Sequence, residues 1–276
     1  MAKVLITGCS SGFGLLTALR FAREGDLVYA TLRRPDDAPP ELRRAIDEDH
    51  LSIELLPLDV CDPASVEAAL AQAGPLDVLV NNAGIELRAS IEDAAEDDVR
   101  RQFETNLFGT LRVLRGVLPA MRERRRGTIV NVSSIAGLVA RPFGGYYSAT
   151  QHALEAISEA LYFEVRPHGV RVILIEPGQY ATKLLDNAFL GRGFGPGSAY
   201  WDASERFDER LGRLRPGGNL ADPHEVADLI YAAVHDPAPK LRYLAGEDAK
   251  MLATAYRELE FEAYEELMRQ SLDWQD

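Results

Sequence analysis

Short runs of β-branched and leucine residues alternate along this chain with longer amphipathic stretches. The apolar runs fall at about 4–7, 27–32, 53–58, 78–81, 128–132, 170–176 and 242–245. Between them, helical spacing predicts helices at about 13–24, 40–48, 63–73, 95–123, 147–165, 223–235 and 250–270. Such alternation predicts an α/β chain with a parallel sheet of about seven strands and helices on both faces. Most of the runs are continuously apolar, as strands covered on both faces must be.

Local signals sharpen some boundaries. Asp62-Pro63 has the form of an N-cap followed by proline at the first helical position. Asp222-Pro223-His224-Glu225 repeats it, with Glu225 placed to complete a capping box. In the helix predicted at 147–165, Leu154, Ile157, Leu161 and Val165 make one apolar stripe, for core or interface. The alternation breaks at about 180–220. There GRGFGPGS (191–198) lies among Phe189, Phe194, Tyr200, Trp201 and Phe207. Mobile glycines beside exposed aromatics predict a lid over an apolar ligand, and a surface loop packing its own aromatics is the plainer alternative. No linker divides the chain, so residues 1–276 read as one domain with this insert and a helical tail at about 247–276.

Composition narrows the function. The formal net charge of -13 argues against nucleic acid or an anionic membrane surface as partner, since both select basic faces. The basic cluster at 122–126 reads as a solvated helix end. Two cysteines, Cys9 and Cys61, make no disulfide framework. The histidines (His50, His152, His168, His224, His235) form no metal-ligand spacing, so no metal is expected. No apolar run of about 18 residues suits a membrane span. The expectation is a cytoplasmic protein.

TGCSSGFG (7–14) follows the first strand and opens the first helix. Gly8 permits a tight turn, Gly12 the approach of a phosphate, and Gly14 close helix–strand packing. The helix N-terminus then offers free N–H groups to a pyrophosphate. With its TGxxxGxG spacing the chain resembles the classical short-chain dehydrogenase/reductase family, which implies a Rossmann-type doubly wound fold. NNAG (81–84), Asn106, Ser134 thirteen residues before Tyr147, and PGQYAT (177–182) carry the resemblance onward. It extends to about Gly246. Within the family, VYATLRR, YYSAT-HALEA and the long tail look most like 17β-hydroxysteroid and retinol dehydrogenases. The family's dimer-forming helices match those at 95–123 and 147–165, which implies a homodimer or homotetramer.

An acid after the second strand marks NAD sites, and a basic residue accommodates the 2′-phosphate of NADP. Here Arg33 and Arg34 occupy that place, with no acid before Asp36. Ser11, Arg33 and Arg34 therefore predict NADP(H) over NAD. The resemblance implies that Gly8, Ser11, Gly12, Phe13 and Gly14 face the phosphates. It implies that Asp59 and Val60 border the adenine, that Asn82, Ala83 and Gly84 border its ribose, and that Pro177, Gly178 and Thr182 hold the nicotinamide.

For the proton chemistry, the resemblance implies Tyr147 as acid or base and Ser134 as the donor to the substrate oxygen. Asn106 would hold a water or local backbone for a proton relay, with Ser133 structural. At Gln151 the chain departs from the family's YxxxK, whose lysine bonds the nicotinamide ribose and lowers the tyrosine's pKa. A cation about 5 Å away at an effective dielectric of about 20 is worth roughly 3 kcal/mol, or about 2 pK units. Its loss hurts the oxidative direction most, because that direction needs tyrosinate. Gln151 keeps an amide for the ribose. His152 points round the helix, and Lys183 is the other cation weighed. The leading expectation is an NADP(H)-dependent oxidoreductase interconverting a ketone and a secondary alcohol on an apolar, steroid-like or lipid-like substrate. A nucleotide-binding protein with little turnover and an epimerase or dehydratase on the same fold stay open.

Overall fold

The computed structural model describes residues 1–182, 188–212, 219–272 and 274. Seven strands form the main sheet: β1 (Lys3–Ile6), β2 (Leu27–Leu32), β3 (Ile53–Pro57), β4 (Val78–Asn81), β6 (Gly127–Val132), β7 (Val170–Pro177) and β9 (Arg242–Ala245). All pair in parallel, in the order β3-β2-β1-β4-β6-β7-β9. The strand order reverses at β1, where β2 pairs one side and β4 the other. The carboxyl ends of β1 and β4 therefore open the crevice in which doubly wound sheets bind ligands.

The core follows from the period-two geometry of strands. Val4, Ile6, Val28 and Ala30 face α1 (Gly12–Arg23) and the helix His224–His235. Leu5, Tyr29, Leu56, Leu79 and Ile129 face the other way. They meet α3 (Pro63–Ala73), α5 (Thr110–Glu123) and the Leu161 and Val165 end of α6 (Gly145–Val165). The stripe on α6 is thus core, with Ile157 only half-buried. Both faces of the sheet are covered, which is why the strands carry no alternation.

Several expectations need correcting. The long helix is continuous from α4 (Glu96–Phe103) into α5, but Glu104–Gly109 is a π-helical turn. Such turns add a residue to the ladder and re-aim a side chain, and here it carries Asn106. The tail is two helices, Glu247–Glu258 and Phe261–Leu272, because Leu259 is extended. Asp62 caps α3 through Ala64 N at 3.0 Å. Asp222 accepts from His224 N at 3.0 Å, yet Glu225 completes no capping box, and its carboxylate meets the Tyr180 hydroxyl at 3.3 Å instead. The basic cluster is not simply solvated: Arg126 pairs with Asp77 at 2.6 Å, and Arg125 donates to Pro167 O at 2.8 Å. A two-residue ribbon, β5 (Leu87–Arg88) with β8 (Phe189–Leu190), ties the insert to the loop after β4; no periodicity marks so short a pairing.

Candidate active site

The glycine turn is built for close approach. Gly8 and Gly12 have φ of +75° and +56°, a region that L side chains rarely adopt. A Cβ on Gly14 would lie 2.4 Å from Gly8 O and 2.5 Å from Asn82 Nδ2. NNAG braces the turn from the next strand. Asn82 Nδ2 donates to Thr7 O at 2.9 Å, and Thr7 Oγ1 accepts from Asn82 N and Ala83 N at 2.9 and 3.0 Å. Ser11 stands at the N-cap of α1, but its side chain makes no cap bond.

One cleft of about 2000 Å³ runs from this turn across the carboxyl edge of the sheet. It is lined by Gly8, Ser11, Gly12, Phe13, Arg33, Asp59, Val60, Asn82, Ala83 and Gly84. It continues along Asn106, Ser134, Tyr147, Gln151, Pro177, Gly178 and Thr182. Phe13 packs edge-on against Tyr180 with ring centroids 5.5 Å apart. Asp59 Oδ1 accepts from Cys61 N at 2.9 Å, which shapes the cleft wall beyond the third strand. Two expected residues stand outside the lining. Gly14 is spent on packing. Arg34 is turned to solvent, paired with Asp37 at 2.8 Å, because the chain enters a 3-10 turn at Pro35 directly after it.

At the other end, Ser134 caps a 3-10 turn by accepting from Ala136 N at 3.1 Å. The Ser134 hydroxyl and the Gln151 amide face the phenol of Tyr147. Tyr147 is buried, and burial pushes its pKa above the usual value near 10. Ser134, Gln151 and the charge of Arg141 pull the other way. Gln151 Oε1 and Ser133 Oγ are buried without a hydrogen-bond partner among the described residues. Asn106 takes backbone on both sides: its Oδ1 accepts from Ile85 N and its Nδ2 donates to Ile85 O, each at 2.9 Å. His152 bonds Ser148 O and is exposed, so it offers no charge to the tyrosine. Lys183 lies outside the described residues. Thr182 itself packs on the glycine turn, its Cβ 3.3 Å from where a Cβ on Gly12 would stand.

Some residues here escaped the sequence reading. Gln102 bonds Leu87 N at 2.6 Å and Ile85 O at 2.8 Å, fixing the chain after NNAG. Asp248 Oδ2 accepts from Gln179 N at 2.7 Å and fills the space beside Gly178; no local spacing links residues 69 apart. Arg141 pairs with buried Glu86, and Arg88 bridges Glu205 at 2.6 Å and Asp208 at 2.8 Å. An arginine and a glutamate set in otherwise apolar segments were the available signal. Glu86, Arg88, Arg141 and Asp208 share the cleft wall with Val139, Leu190, Phe207, Leu252, Met268 and Leu272.

The insert is less open than its composition predicts. Phe194 and Phe207 are buried, and Phe189 and Trp201 are half-buried. Of the five aromatics only Tyr200 is exposed, and its hydroxyl holds Glu92 at 2.6 Å. Phe143 stacks on Phe194, and its ring meets both Phe207 and Trp274. The loop thus packs its own aromatics, against Phe143 and the C-terminal tail, while Phe207 still reaches the cleft.

A braced glycine turn at the switch point of a parallel sheet, with a serine–tyrosine pair beside it, defines a doubly wound protein of the dinucleotide-binding class. The chain belongs to the short chain dehydrogenase family, which matches residues 2–192, and is an oxidoreductase of that family. It is 38% identical over 249 residues to a 3-ketodihydrosphingosine reductase of Bacteroides thetaiotaomicron, covering 90% of this chain and 89% of the relative. It is 37% identical over 258 residues to human 17-beta-hydroxysteroid dehydrogenase type 1, covering 88% and 77%. Among solved structures, a short-chain dehydrogenase from Streptomyces avermitilis superposes with a TM-score of 0.81 at 33% identity, over 98% of both chains. An actinorhodin polyketide ketoreductase variant solved with NADPH gives 0.74 at 29% identity, over 88% and 94%. Among the described residues no group of side chains suits a metal ion, and no helix is long and apolar enough to cross a membrane.

Proposed function

We propose that this protein is an NADP(H)-dependent ketone reductase whose substrate is largely apolar with a polar end near the reacting carbon. The observation that carries the reading is the placing of Ser134 and Gln151 against the Tyr147 phenol, in a cleft that begins at the glycine turn. The fit to a dinucleotide rests on the left-handed Gly8 and Gly12, the free Ser11 hydroxyl and the unpartnered Gln151 Oε1. Arg33 at the cleft mouth, with Ser11 near it, supports a 2′-phosphate. The NADPH-bound ketoreductase relative supports the same cofactor.

When bound, the cofactor supplies the hydride. The chain's own groups handle oxygen and proton. Ser134 donates to the carbonyl oxygen and stabilises the charge that develops there. Tyr147 passes its phenolic proton to that oxygen. Gln151 steadies the phenol through its amide and offers Oε1 to a ribose hydroxyl. Asn106 holds the Ile85 peptide at the head of the relay. Burial keeps Tyr147 protonated at neutral pH, the form that donates in ketone reduction. Val139, Phe207, Leu252, Met268 and Leu272 suit a lipid or steroid body, while Arg88, Asp208, Glu86 and Arg141 suit a polar head. Names among the relatives that specify keto reduction and hydroxysteroid dehydrogenation support this reaction class. The exposed Phe108 and Phe163, on the surfaces of the π turn and α6, support a homo-oligomer.

The test is NADPH oxidation with a panel of 3-keto sphingoid bases, steroid ketones and short aliphatic ketones. Tyr147→Phe should lower turnover by about a thousandfold, in line with the weight of a positioned acid. Unchanged turnover in that variant removes Tyr147 from the acid role. Tight NADPH binding with no turnover on any ketone favours the binding-protein reading.

A further inference from the structure

Gln151 leaves the acid without the cation its position invites, and the fold brings another to the same place. Arg141 lies in the loop between Ser134 and Tyr147 and lines the cleft with both. The chain turns back at Phe143, whose φ of +58° is left-handed, and α6 then begins. This reversal folds the Arg141 side chain over the first turn of α6. A Cβ on Gly144 would lie 2.7 Å from Arg141 Nε and 3.1 Å from its Cζ. Gly144 O accepts from Ser148 N at 2.9 Å, so the guanidinium packs on the turn that carries Tyr147. Gly144 has negative φ, so it is the arginine's bulk, and not strain, that calls for glycine there.

We propose that Arg141 is a positioning residue for proton transfer, supplying to the Tyr147 phenol the positive field that a lysine at position 151 would otherwise give. The inference rests on the acid role argued for Tyr147. Arg141 is the charged group that lowers the Tyr147 pKa among the described residues, and Glu86, on the same cleft wall, is its ion-pair partner. The other charges facing this cluster are Asp208, Glu205 and Arg88, from the helix Trp201–Leu211 and β5. Ser134 and Gln151 face the phenol as neutral donors. Arginine suits the place because it keeps its charge under burial where lysine readily loses it. The Glu86 ion pair also fixes the guanidinium, so no ordering cost falls on the reaction.

The experiment compares the whole protein with Arg141→Met, Arg141→Lys and Arg141→Met/Gln151→Lys. Tyr147 is followed by NMR titration of 13Cζ-labelled tyrosine, with Tyr147→Phe to assign its signal, alongside pH profiles of ketone reduction. Arg141→Met should raise the Tyr147 pKa by about one unit and lower kcat about tenfold at neutral pH. NADPH affinity should stay close to the parent's, while the thermal midpoint should fall, because Glu86 is left buried without its partner. Arg141→Lys should keep most of the activity, and Gln151→Lys should restore the rest in the Met background. A Tyr147 titration unmoved by Arg141→Met overturns the proposal, as does a loss confined to KM, which would make Arg141 a substrate contact. The NMR titration reads the field directly. If Tyr147→Phe keeps turnover, the functional reading falls while the titration still judges Arg141.

Discussion

The amide of Gln151 faces the phenol of Tyr147 and draws its pKa down, while Oε1 is buried without a hydrogen-bond partner among the described residues. A lysine in this place would add a positive charge beside the phenol, which the amide does not carry. Gln151→Lys should lower the Tyr147 pKa by up to about 2 units, from the Coulomb energy of a cation about 5 Å away at an effective dielectric of about 20. Alcohol oxidation at neutral pH should rise by about ten- to a hundredfold, and ketone reduction by less. Steady-state rates in both directions from pH 6 to 10 decide it. A fall in both would mean that the glutamine serves a specialised chemistry.

Gly14 tests the brace between the glycine turn and NNAG. Its missing Cβ would overlap Gly8 O and Asn82 Nδ2, and neither is the loose end of a flexible chain. Gly14→Ala should cost roughly 1–3 kcal/mol of stability from overpacking and weaken NADPH binding with it. Gly195→Ala, where nothing lies within 4 Å, is the matched control. Denaturant midpoints and fluorescence titration read both; equal effects at the two positions would refute the packing argument.

Arg33 tests the cofactor. A charge-assisted bond to the 2′-phosphate is worth about 1.5–3 kcal/mol, or roughly ten- to a hundredfold in affinity. Arg33→Glu should therefore raise the KM for NADPH by at least about tenfold and leave that for NADH little changed. Arg34→Glu should do much less, because Arg34 is held outward by Asp37. Kinetics at fixed ionic strength separate the two; a larger effect at Arg34 would reverse the assignment.

Behind α6, Arg242 pairs with Glu155, with Glu159 at 2.7 Å and with Glu176 at 3.1 Å. Burial first, and then the charge of Glu155, push Glu176 up from 4.5 to about 7. The folded state thus binds this proton more tightly than the unfolded chain. Its contribution to stability is complete below about pH 4.5 and is lost as pH rises through 7. The change is on the order of 1–3 kcal/mol. Glu176→Gln should flatten the stability profile between pH 4.5 and 7, as read by urea unfolding. An unchanged slope would assign the titration elsewhere.

Much of the fold was legible because its signals are local. Continuous apolar runs such as Val170–Glu176 mark strands buried on both faces, and Asp62-Pro63 marks a helix start. The turn from Thr7 to Gly14 and the order of Asn106, Ser134 and Tyr147 were legible through the family resemblance. The π turn at Asn106 was not: it packs through Gly109 against Val60, 49 residues away, and no local spacing marks such a contact. The capping box at Asp222 failed for a similar reason, because Tyr180 takes the Glu225 carboxylate. Exposed aromatics were expected at Phe194 and Phe207, and composition could not reveal that Phe143 and Trp274 enclose them.

By itself, then, the sequence determined the layered fold, the phosphate turn, the serine–tyrosine pair and the absence of lysine beside it. Each depends on neighbours within a few residues or on a fixed motif. Only the tertiary structure decided where charge reaches that pair. The field at Tyr147 depends on which guanidinium the Phe143 reversal brings over α6, and Coulomb interaction acts through space, along no chain spacing.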